Sequence, residues 1–307
     1  MNASAADTKR RADARSGFWF GVSAYGLWGV LPIYFKAIAA VGPIDIVAHR
    51  VVWSVPFLAI LLAALGGWTE VRNVLRRPRR LAFLALTAVL IAVNWLLYVY
   101  AVTSGQILAG SLGYYLNPLV NVLMGRLLLK ERLGPLQWAA VAVAAAGISA
   151  LALQALGQLW ISLALAGSFA TYGLLRKVAP VEAVAGLAVE TLLLFPLALL
   201  WLGWRVASGE AAFGSTAVES VLLLFAGIVS TVPLLLFTAA ARRLPYSMLG
   251  MLQFIAPTLQ FLCAVALYGE SFTSGHAIAF ASIWLALLMY ATALLRSKSG
   301  DAPPPPE

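Results

Sequence analysis

GSLGYYLNPLVNVLMGRLLLKER, residues 110–132, is almost wholly apolar, yet it carries Pro118 in its middle and Glu131 between Lys130 and Arg132 at its end. The same plan returns in GMLQFIAPTLQFLCAVALYGES, residues 250–271. Pro118 precedes Glu131 by the same interval as Pro257 precedes Glu270, so one constant offset relates the two copies. That offset also pairs Tyr114 with Gln253, Asn121 with Gln260 and Asn94 with Pro233. A duplicated apolar unit predicts a chain of two halves built alike.

Hydrophobic residues make up 62% of the 307 residues and charged ones 11%, with a mean hydropathy of +0.90. Soluble domains run nearer about 45–50% apolar and about 25% charged. The chain therefore reads as an all-α membrane protein whose surface faces the lipid bilayer. A spanning helix needs about 20 mostly apolar residues. Ten stretches qualify: 17–37, 43–65, 81–103, 107–129, 134–153, 158–177, 182–203, 218–240, 246–268 and 275–295. Residues 1–16, with Lys9, Arg10, Arg11 and Arg15, read as a disordered basic leader ahead of an uncleaved first helix. Residues 17–153 form a first repeat of helices 1–5, and 158–296 a second of helices 6–10. Residues 297–307 read as a disordered tail that Pro303–Pro306 keeps extended. Most connections are very short, the basic loop 66–80 and the stretch 204–217 excepted.

Charge sets the topology. With the N-terminus in the cytoplasm, all but three of the 21 basic residues fall on that side, including Arg72 to Arg80, Lys130, Arg176, Lys177, Arg242 and Arg243. The exceptions are Arg205 in an outer loop, Lys36 near an outer helix end and Arg50 within a span. Nine or eleven helices would destroy that asymmetry. Both termini are thus expected in the cytoplasm. Five helices per half is an odd number, so the second copy enters from the opposite face, with Glu131 at the cytoplasmic surface and Glu270 at the outer one. Ten transmembrane helices as two inverted five-helix repeats is a recurring transporter plan, with the substrate site near the midplane.

Several polar residues are candidates to line that site. Pro118 and Pro257 each remove a helix donor and displace a carbonyl four residues earlier, that of Tyr114 or Gln253. Tyr114, Asn117 and Asn121 share one helix face, and Gln253 with Gln260 repeats the spacing. They either line a cavity or bond helix to helix. Arg50, beside His49, Trp53 and Ser54, precedes Pro56 by the same interval as Glu190 precedes Pro196. Arg50 and Glu190 are therefore repeat-equivalent and opposite in sign. Two readings stand: both face one cavity, where Arg50 attracts an anionic group or neutralises Glu190, or where Glu190 instead exchanges protons, or they form a static ion pair. Lys36 either contacts substrate or snorkels to the interface. Asn94, Trp95 and Tyr98 lie on the third helix, and Trp28, Trp95, Tyr98, Tyr114 and Tyr172 are candidates for an aromatic pocket, although Trp and Tyr also favour membrane interfaces. Gly17 and Gly21 form a GxxxG pair that allows close helix contact. His276 reads as a solvated surface residue.

Other chemistries find little support. The +9 net charge lies mostly in short loops, which argues against nucleic acid as a partner. Cys263 is the sole cysteine, so no internal disulfide or cysteine metal cluster is expected. No P-loop and no H-E-x-x-H occurs, and Ala109, Ser111 and Gly113 miss the nucleophile elbow. Neither an enzyme, a cofactor nor a metal is expected; the partner is a small-molecule substrate, driven by a gradient. A channel and a non-transporting scaffold are the alternatives.

The runs AYGLWGVLPIYFK (24–36), HRVVWS (49–54), NWLLYVYAV (94–102), SLGYYLNPLVNVLMG (111–125), ATYGLLRK (170–177), STVPLLLFTAAA (230–241) and QFIAPTLQFL (253–262) span both halves. In them the chain resembles the RarD branch of the EamA family, within the drug/metabolite transporter superfamily. HRVVWS and GYYLNPLVN are the branch-specific runs. The resemblance implies a bacterial inner-membrane permease of two inverted five-helix EamA repeats. It further implies export of metabolites, amino acids or drugs through a cavity between the first four helices of each repeat. By the same resemblance helices 5 and 10 sit peripherally, where a homodimer would form. Names common in the branch, chloramphenicol-sensitive or permease protein, fix no substrate.

Overall fold

The computed structural model describes residues 2–104, 106–268 and 274–300, and within them no strand forms apart from one isolated bridge between Phe213 and Thr216. The helices are α1 (Asn2–Ala37), α2 (Pro43–Leu65), α3 (Trp68–Leu75), α4 (Pro78–Thr103), α5 (Ile107–Leu127), α6 (Pro135–Ala152), α7 (Leu159–Val178), α8 (Ala183–Ala207), α9 (Ala217–Arg243), α10 (Tyr246–Gln253), α11 (Ile255–Tyr268) and α12 (Ser274–Gly300). Among the described residues seven helical segments are long and apolar enough to cross a membrane, α10 and α11 counting together, and α6 and α12 hold shorter apolar segments. The protein is a multi-pass membrane protein. Its outer surface is itself apolar, with Ile60 and Leu200 70% and 71% exposed, as lipid contact requires.

Local sequence sets the helix ends. Pro43 opens α2 behind Gly42, and Gly66, left-handed at φ 69°, closes it. Thr216 caps α9 by accepting from the Glu219 N–H at 3.1 Å. Three expected coils are helical, one of them residues 297–300 of the tail, which continue α12. Residues 2–16, read as a disordered leader, continue α1. Its alanines, lysine and arginines are strong helix formers, and extending an existing helix needs no new nucleus. The 66–80 loop holds α3, whose Val71 and Val74 are buried. Glu270 lies outside the described residues, as do residues 301–307 of the tail.

The halves interlock. α1 packs on α9, α10 and α11; α7 packs on α4, α5 and α9; α2 packs on α8 and α9; α4 on α8; α5 on α10; and α6 on α12. Gly17 and Gly21 lie against Arg243, Leu244, Leu252 and Ala240, so the GxxxG pair does bring helices together. α6 and α12, expected at the periphery, meet at Gly147 and Ser282.

Segments expected on one face of the membrane bond to one another. The Glu182 N–H donates to Glu70 at 2.7 Å, Lys177 Nζ donates to the carbonyls of Ala241 and Leu244 at 2.8 and 2.5 Å, and Arg242 donates to the Val181 carbonyl. At the other end Asp45 accepts from Trp201 at 2.7 Å and pairs with Arg205 at 3.0 Å. Glu131 joins the first group. After α5, Lys130 turns left-handed at φ 57° and the Glu131 N–H returns to the Gly125 carbonyl at 3.0 Å. The carboxylate then accepts from the Tyr246 and Ser247 N–H groups at 2.5 and 2.9 Å, at the start of α10. A carboxylate there satisfies two free donors and meets the positive helix end. Glu131→Gln is expected to cost about 1–2 kcal/mol in thermal unfolding and to speed amide exchange at Tyr246 and Ser247.

Candidate functional site

Between the two halves lies a cavity of about 460 Å³. α1 contributes Trp28, Phe35 and Lys36; α2 contributes Arg50; α4 contributes Asn94, Trp95 and Tyr98; and α5 contributes Tyr114. From the other half come Phe169, Leu234, Gln253, Pro257 and Gln260, with Tyr268 at the end of α11. Of the exposed wall residues, Lys36, Ala39 and Tyr268 lie at one end, with Tyr98 a little deeper on α4. Lys36 joins the wall, its Nζ 5.3 Å from the Tyr268 ring centre. A volume in this range suits a small molecule.

Polar groups in the wall are held in place. Asn94 Nδ2 donates to the Leu165 carbonyl at 2.9 Å and to Ser168 Oγ at 3.0 Å. Gln260 Nε2 donates to the Trp28 carbonyl at 3.1 Å, and Asn121 Nδ2 donates to Gln253 Oε1 at 2.9 Å. The amides therefore combine the two roles open from sequence: Gln253 and Gln260 line the cavity while bonding helix to helix. Asn121 sits behind the wall, where α5 and α10 cross beside Gly250. Asn117 is buried outside the wall, and its Oδ1 has no partner among the described residues.

The prolines act differently. α5 runs as one helix through Pro118. In the second copy the helix breaks at Phe254, between α10 and α11, just after the Gln253 carbonyl that Pro257 leaves unbonded.

Arg50 and Glu190 do not pair. Arg50 Nε donates to Ser230 Oγ at 2.5 Å, and the guanidinium lies 4.8 Å from the Trp95 ring centre. Glu190, 1% exposed, pairs with Arg176 at 3.5 Å. Its Oε1 accepts from Thr87 at 2.5 Å and its Oε2 from Tyr172 at 3.2 Å. Arg176, which reads from sequence as a surface charge, is 0% exposed. Gly186 makes room for it: a Cβ there would stand 2.2 Å from Nη1. A second, much smaller pocket holds Arg50, Ser230 and Glu190 in its wall, so the two charged sites adjoin.

Three more expectations need correction. His49 and Trp53, one turn apart on α2, stack against Phe213 at ring distances of 5.6 and 5.7 Å. They pack beneath the loop after α8 because their helix face is turned from that of Arg50. Tyr172 is wholly buried, its ring against Phe237 and its hydroxyl on Glu190, behind the cavity wall. Sequence reasoning missed Phe169, Tyr268, Ser230 and Arg176. The one signal for Arg176 was a glycine, Gly186, one turn before a buried carboxylate.

Comparison with known proteins agrees with this architecture. The model of the EamA-like transporter family matches residues 15–153. The chain is 49% identical over 292 residues to an uncharacterised transporter of Pseudomonas aeruginosa, covering 93% of this chain and 96% of that protein. It is 43% identical over 284 residues to protein RarD of Escherichia coli, covering 90% and 94%. A crystal structure 22% identical in sequence superposes with a TM-score of 0.72, covering 91% of this chain and 98% of that one, a likeness of fold.

Proposed function

Because the chain belongs to the EamA-like transporter family, in its RarD branch, we propose that it is a secondary-active permease of the bacterial inner membrane that exports a small metabolite, amino acid or drug by alternating access. The observation that carries this reading is the cavity of about 460 Å³ walled by both halves of the chain. Helix packing supports two inverted five-helix repeats around it. Exchanging α1, α2, α4, α5 and α6 for α7, α8, α9, α10–α11 and α12 turns the α1–α9 contact into α7–α4 and α2–α9 into α8–α4. It turns α5–α7 into α11–α1, and it leaves α2–α8, α5–α10 and α6–α12 mapped on themselves. Such pairing is what a twofold axis in the membrane plane requires.

With both termini cytoplasmic, the exposed wall residues Lys36, Ala39 and Tyr268 lie at the outer side, and the bonded cluster of Glu131, Lys177 and Arg242 closes the inner side. Exchanging the repeats' conformations would open the cavity inward. The outward faces of α6 and α12, where Trp138 and Trp284 are exposed, are the surface we assign to a homodimer.

The test is transport by purified protein in vesicles, using a solute found by thermal-shift screening. Saturable uptake with counterflow is expected. Uptake linear in concentration without counterflow identifies a channel, and no uptake identifies a scaffold.

A further inference from the structure

The buried ion pair of the second half shows what the first half lacks. Arg176 at the end of α7 meets Glu190 on α8 at 3.5 Å. Around these helices one offset relates the repeats, marginally longer than that from Pro118 to Pro257: it takes Pro56 to Pro196 and Arg50 to Glu190. The same offset takes Lys36 to Arg176. A cation and a carboxylate in one half therefore correspond to two cations, Lys36 and Arg50, in the other. Both cations line the large cavity, and no Asp or Glu among the described residues lines it with them.

Among the described residues Arg50 has no carboxylate of its own. Its Nε is used by Ser230, its flat face rests on Trp95, and both oxygens of Glu190, the acid in the wall of the adjoining small pocket, are taken by Thr87, Arg176 and Tyr172. The terminal guanidinium nitrogens have no hydrogen-bond partner among the described residues and belong to a side chain in the cavity wall. A cation within a membrane is costly unless an opposite charge meets it. Its planar fork suits a carboxylate, sulfonate or phosphate. The remaining wall is aromatic and amide: Trp28, Trp95, Tyr98 and Phe169 for a ring or hydrocarbon body, Gln253 and Gln260 for polar substituents.

We infer that the cargo is an organic anion with an apolar, usually aromatic, body, whose acidic group docks on Arg50 and enters past Lys36. The inference rests on the transport reading and narrows it. It makes the cargo the counterpart of Glu190: the repeat that carries its own carboxylate is locked by it, and the repeat that does not is filled by substrate.

Two measurements test it separately. In a Cys263→Ser background, Ala256→Cys places one thiol in the cavity wall. Its reaction rates with anionic sulfonatoethyl and cationic trimethylammonium-ethyl methanethiosulfonate are each divided by the rate on a free thiol in solution. A positive cavity is expected to favour the anionic reagent by about tenfold or more. That preference should collapse with Arg50→Gln and survive Arg50→Lys, which guards against misfolding. Equal rates, faster cationic reaction, or a preference indifferent to Arg50→Gln would overturn the inference.

The second measurement is counterflow in vesicles with phenylacetate, phenylacetamide and phenethylamine, one body in three charge states. Saturable exchange of phenylacetate alone, reduced about tenfold or more by Arg50→Gln, is expected. Exchange of the amide or amine in preference to the acid removes the anion and leaves the transporter. Exchange of none, with the thiol preference present, removes the transport reading but keeps the positive cavity.

Discussion

Arg176→Met is expected to cost about 3–5 kcal/mol of stability. The side chain is wholly buried, and its partner Glu190 is buried with it. Removing the cation leaves Glu190 with Thr87 and Tyr172 as hydrogen-bond donors but no compensating charge. Glu190→Gln is damaging for the converse reason, because Arg176 then keeps the Ala183 carbonyl at 3.1 Å and a neutral amide oxygen but loses its opposite charge. A buried pair is less costly to replace whole than to break. Arg176→Met with Glu190→Leu should therefore recover most of the loss. Melting temperature in detergent reads the effect; a double variant no more stable than either single one would show that the pair does not act as a unit.

Gly227→Ala is the second large effect. A Cβ at this position would lie 2.3 Å from the carbonyl carbon of Trp53, 2.4 Å from its oxygen and 2.6 Å from the Ser54 N. These are backbone atoms, so no side chain can swing aside and α2 must retreat from α9. The same crossing carries Ser54 Oγ on the Arg50 carbonyl at 2.5 Å, Thr231 Oγ1 on Ser54 Oγ at 2.7 Å, and the Arg50–Ser230 bond. Overpacking costs about 1–3 kcal/mol or more, and here it also displaces Arg50. Gly227→Ala is expected to lower the melting temperature and to reduce transport in the fraction that still folds. Gly26→Ala, where nothing lies within 4 Å, is the control that should change neither.

The contrast between legible and illegible residues follows from what each depends on. Helix positions depend on runs of apolar residues along one segment, so α2, α5 and α9 were readable to within a few residues. Arg50, Trp95, Tyr114 and Gln260 were readable as wall because polar or aromatic groups recurring inside apolar stretches seldom face lipid. The partner of Glu190 was not. Arg50, two turns into α2, and Arg176, at the end of α7, are both cations, and only the close approach of Arg176 to Gly186 on α8 decides which one the carboxylate meets. Tyr172 shows the same limit: its helix borders the cavity, but the ring turns to Glu190. For residues 2–16 polarity argued for coil while alanine content favoured helix, and the adjoining α1 decided in favour of helix.

The opposed orientation proposed for the two halves is open to one direct measurement. Arg77, between α3 and α4, and Ser215, between α8 and α9, are both exposed and fall in loops that correspond under the proposed repeat. Arg77→Cys and Ser215→Cys, each in the Cys263→Ser background, are treated on intact cells with a membrane-impermeant maleimide. Labelling of Ser215→Cys at once, and of Arg77→Cys only after the membrane is opened, is the predicted result; labelling of both from the same face would contradict inverted repeats.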